Sequence, residues 1–130
     1  MNDNHLKEVF CDESLERLFP PDRADSFFEA LFGDAGDGAF DIRLRYSGRE
    51  GEALNFEMQL HQRPGKCLAC HLTHGIPEVF SRHPIIDVRG LAREIGRLSG
   101  MAGEPAFELG RTREISSELH VVPLTVSPAA

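Results

Sequence analysis

The strongest constraint on the fold is a change of hydrophobic period at Phe40. From there Phe40, Ile42, Leu44 and Tyr46 alternate with Asp41, Arg43 and Arg45, and after a break Leu54, Phe56, Met58 and Leu60 alternate with Asn55, Glu57, Gln59 and His61. Alternation with period two puts the apolar side chains on one face of a pleated strand and the polar ones on the other. The break, Ser47 to Glu52, holds two glycines and predicts a turn, so the two runs predict an antiparallel pair with one buried face. Arg63-Pro64-Gly65-Lys66 places proline and glycine as a type II turn does, and Leu68, Cys70 and Leu72 carry the alternation into a third strand.

A sheet with one apolar face needs helices to cover it. Leu15, Leu18 and Phe19 recur at helical spacing before Pro20-Pro21, neither of which can donate a backbone hydrogen bond. Asp22 is placed to cap a second helix with Phe27, Phe28, Leu31 and Phe32 as its apolar stripe and Gly33 as its end. The glycine-rich tract Gly33 to Ala39 reads as a loop, and Thr73 to Pro84 as an irregular segment with Ile76, Val79 and Phe80 tucked under the sheet. Asp87 then caps a helix whose apolar face is Val88, Leu91, Ala92, Ile95 and Leu98, closed by Gly100. Gly90 and Gly96 weaken that helix by about 1 kcal/mol each relative to alanine. Ala106 to Leu109 and Leu119 to Val126 read as two more strands, with Pro123 placing the latter at an edge or a bulge. The expectation is a single α+β domain over 1–130 in the order α-β-β-β-α-β-β, helices on one face of an antiparallel sheet, with 1–11 flexible and 127–130 a tail.

Charge narrows the function classes. Of the formal −7, the first 38 residues carry all: ten acids against Lys7, Arg17 and Arg23, while eleven basic residues meet eleven acids thereafter. A protein that neutralises phosphates needs a basic surplus, so nucleic acid is not the expected partner. The opening residues lack the basic and apolar regions of a secretory signal, and no apolar run is long enough for a bilayer; both predict a soluble cytoplasmic chain without a membrane partner. No phosphate-binding loop, dinucleotide fingerprint, HExxH or GxSxG occurs, so a non-enzymatic role is expected.

Cys67-Leu68-Ala69-Cys70-His71 is the one chemical motif, and it admits several readings. CxxCH spells a c-type haem attachment site, but positions 67 and 70 face opposite ways in a strand, and attachment follows export. Zinc is the next reading: Cys67, Cys70, His71 and His74 offer four N/S ligands within eight residues, with Cys11, His61 and His83 as replacements, although neighbouring Cys70 and His71 fit one tetrahedral ion poorly. A thiol redox motif would open a helix, whereas Leu72 and Thr73 lead to Gly75 and Pro77. Core packing of Cys70 between Leu68 and Leu72 is the plain alternative. Three cysteines, an odd number, speak against a disulfide framework.

Twelve of the fourteen basic residues are arginine, and Arg89, Arg93 and Arg97 repeat every four residues along one helix. Such a row is ordinarily a solvated face, yet guanidinium groups also suit carboxylates, including the acids before Gly38 across the fold or across a dimer. The order α-β-β-β-α with arginines on its second helix resembles the double-stranded RNA-binding domain, but Ile85-Ile86-Asp87-Val88 stands where that family has a lysine-rich start, which leaves RNA binding a secondary reading. In size, acidity and element order the chain resembles type III secretion chaperones, which implies a cytosolic dimer that binds an extended segment of a partner without catalysis. The block Ala53 to Leu98 is also similar to small uncharacterised bacterial proteins, which implies no activity. The expectation is thus a chaperone-like protein-binding module, a homodimer or a binder of another protein, using a sheet edge, Leu119 to Val126 first, or an apolar surface next to the Asp87 helix, with Arg89, Arg93 and Arg97 as binding residues; the alternative is a zinc or thiol site at Cys67, Cys70, His71 and His74.

Overall fold

The computed structural model describes residues 3–33, 40–65, 76–101 and 103–128. Its elements are α1 (Asp3–Val9), α2 (Asp12–Leu18), α3 (Asp22–Phe32), β1 (Phe40–Glu50), β2 (Ala53–Gln62), α4 (Ile76–Arg82), α5 (Val88–Ser99), β3 (Ala106–Leu109), β4 (Arg113–Ser116) and β5 (Leu119–Ser127). The strands form one antiparallel sheet in the order β1-β2-β5-β3, with β4 also paired to β5. The α+β architecture is the expected one. The third strand read at Leu68 to Leu72 lies outside the described residues.

The two alternating runs behave as their period dictates. Ile42↔Leu60, Leu44↔Met58 and Tyr46↔Phe56 stand opposite one another across β1 and β2, and Met58↔Val122 and Phe56↔Leu124 continue the apolar face onto β5. That face and the buried residues of the helices make one core cluster, including Leu15, Phe27, Phe28, Phe80, Leu91 and Ile95. Edge-to-face rings lock it: Phe10 on Phe56 at 5.1 Å, Phe28 on Phe40 at 4.9 Å and Phe27 on Phe80 at 5.6 Å between centroids. The break expected at Ser47 to Glu52 narrows to Gly51-Glu52, because β1 runs on to Glu50 through a bulge between Tyr46 and Gly48.

Several elements differ from expectation. The first eleven residues, expected to be flexible, hold α1, which buries Leu6, and Phe10 just after it is buried too. Pro21, not Asp22, occupies the cap of α3, leaving Asp22 and Asp25 in its first turn, where the helix dipole favours carboxylates; Gly33 ends the helix with φ +82°. Ile76–Arg82 is helical instead of irregular, since Pro77 falls in the first turn, where a missing N–H removes no helical bond. Phe80 is fully buried there, but Val79 is exposed.

Strand β5 is interior, not an edge, which corrects the reading of Leu119 to Val126 as the open side of the sheet. Pro123 survives there for a local reason. Its carbonyl accepts from Gly110 N at 2.8 Å, so its peptide faces the side of β3 and β4, and it sits opposite the gap between Leu109 and Arg113 where that side is interrupted. The donor it lacks is therefore directed at a break in pairing.

Helix α5 follows the expected pattern closely, with Val88, Leu91, Ala92 and Ile95 buried and Gly100 as its end. Asp87 caps it by accepting from Gly90 N at 3.1 Å, in a left-handed conformation (φ 48°, ψ 60°) that aspartate tolerates better than most residues. Gly90 is glycine because a Cβ there would overlap the Asp87 carboxylate, reaching 2.8 Å from Cγ; at Gly96 a Cβ would lie 3.0 Å from Pro105 Cγ.

Candidate protein-interaction edge

With β5 interior, the two outer strands among the described residues are β1 and the broken pair β3 and β4. β3 and β4 are four residues each, β4 is exposed throughout, and the residues between them interrupt the ladder. β1 is eleven residues long, and among the described residues it pairs only with β2.

The direction of β1's peptide groups follows from Pro123. In an antiparallel sheet a residue's N–H and C=O point to the same neighbour, and successive residues point to opposite ones. Pro123 faces β3 and β4, so Val122 faces β2, where it exchanges bonds with Met58. Glu57 then faces β1 and bonds with Arg45, which leaves Asp41, Arg43 and Arg45 bonded inward and Phe40, Ile42 and Leu44 directed outward. The Arg45 side chain supports this assignment by wrapping over the edge to donate to Leu44 O at 2.9 Å, with its Nε 3.6 Å from Asp12.

Beside this edge α2 packs against β1, with Leu15 and the following Phe19 buried in the shared core. A recess of about 250 Å³ lies between them, lined by Leu15, Glu16, Phe19 and Pro21 from the helix side and Asp41 to Leu44 from the strand. A second hollow continues along β1 from Cys11 and Asp12 past Arg45 to Gly48. On the other face of β1, Asp41 receives Arg63 from the end of β2: Arg63 Nε and Nη2 both reach Asp41 Oδ1, at 3.1 and 3.0 Å, and Nη2 also reaches Asp25 of α3 at 2.7 Å. Arg63 lies over the Phe28 ring at 5.4 Å and is mostly buried, so it fastens α3, β1 and β2 together. Arg43 is exposed and has no carboxylate partner among the described residues. His61, opposite Asp41, is held below its ordinary pKa mainly by burial and next by Arg43 and Arg45; its Nε2 lies 3.0 Å from Gln59 Oε1.

The residues singled out in the sequence fall elsewhere. Arg89, Arg93 and Arg97 line the exposed side of α5, but the ion pairs they make are with Glu104, at 3.8 and 2.7 Å from Arg89 and Arg93, and with Glu94, at 2.8 Å from Arg97. Within one chain the expected meeting with the acids before Gly38 is not found among the described residues, where the row pairs with carboxylates beside it and Asp12, Asp25 and Asp41 pair with Arg45 and Arg63. Cys67, Cys70, His71 and His74, the candidate zinc or haem ligands, lie outside the described residues. Their proposed replacements are separated: Cys11 is exposed at the start of α2 with its thiol pKa lowered by the Ser14 hydrogen bond, His61 is on β2, and His83 follows α4 with its ring 4.8 Å from that of Phe27. No group of three metal-binding side chains comes together among the described residues, and no described helix is long and apolar enough to cross a membrane.

Sequence reasoning missed β1 as the edge and Arg63 as its fastener. A partial signal for the first was present, because Asp41, Arg43 and Arg45 put charge at every second position of the strand's polar face. The bonds of Arg63 span 22 and 38 residues of chain and leave no local pattern. No family model, curated protein or solved structure matches the chain.

Proposed function

We propose that this chain is a protein-binding module that takes an extended segment of polypeptide onto the outer edge of β1. The observation that carries the reading is the run of outward peptide groups at Phe40, Ile42 and Leu44 on a long outer strand. An unpaired N–H and C=O row is a template for another strand, and strand addition obtains its affinity from main-chain bonds and its selectivity from flanking side chains. The recess between α2 and β1 runs along Asp41 to Leu44, and Arg43 beside it offers an exposed cation without a carboxylate partner among the described residues. Phe40, Ile42 and Leu44 are buried in the single chain, so an incoming strand must displace what covers their peptide groups, including the Arg45 guanidinium seated on Leu44 O.

The contrast between edges supports the choice. β3 and β4 are short, interrupted and exposed, which are features that discourage pairing with another chain. The arginines of α5 are exposed and paired with nearby carboxylates, an arrangement worth about 0–1 kcal/mol per pair and ordinary for a solvated helix face. Selection of displayed random peptides on the immobilised protein, followed by mapping of amide shifts, tests the reading. Selected peptides are expected to be extended and to shift the Ile42 and Leu44 amides; peptides that perturb only α5 or β4 would reject it.

A further inference from the structure

We draw no further inference here: the strongest candidate, the recess between α2 and the outer strand β1 beside the exposed Arg43, belongs to the site already described, and nothing among the described residues shows what occupies it.

Discussion

Gly90 shows how a residue can contradict its own propensity. Replacing a glycine inside a helix by alanine ordinarily gains about 1 kcal/mol, but here the new Cβ meets the carboxylate that caps the helix. Gly90→Ala is expected to lower stability by about 1 kcal/mol or more, through loss of the cap. In an Asp87→Ala background the same change should become stabilising. Urea unfolding of the four proteins reads both signs, and a stabilising Gly90→Ala in the native background would refute the assignment. His61 gives the second residue-scale expectation. Its pKa in the folded chain lies below the ordinary 6.5, because burial and two arginines disfavour the imidazolium. The unfolded chain therefore binds the proton first as pH falls, so this contribution is complete above about 6.5 and is lost as pH drops through the folded value. The pH dependence of unfolding in that window should flatten in His61→Gln, with the His61 ring resonance titrating below those of exposed histidines.

At the scale of elements, local pattern made much of the fold legible. The alternation in β1 and β2, the stripe of α5 with its cap at Asp87, and β3 from Ala106 to Leu109 are all where their periods put them. What was not legible was decided by other parts of the chain. Helix α1 contributes little periodicity in seven residues, and it is held by burial of Leu6 and by Phe10 stacked against Tyr46 and Phe56. β4 is exposed at all four positions and has no apolar alternation to announce it. Pro123 pointed to an edge by composition, and only the pairing of β3 and β4 along one side of β5 explains its interior place. The candidate edge was half visible, as charge at alternate positions of β1, but which strand lies outermost is a property of the assembled sheet. If α1 is integral to the core, Leu6→Ala should cost about 2–5 kcal/mol, as for other buried leucines. A change below about 0.5 kcal/mol in chemical denaturation would mark α1 as peripheral.

For the whole molecule, the uneven charge of the chain acquires a structural meaning. The acids of the first 38 residues do not form a detached tail, since Asp25 is tied to the sheet by Arg63 and Asp12 reaches Arg45 across the β1 edge. The unequal sides of the sheet have one more consequence. Because the side formed by β3 and β4 is cut opposite Pro123, a second chain added at β1 consumes the one long outer strand found among the described residues of each participant. Addition of another copy there would stop at two chains rather than extend edge upon edge into a fibre.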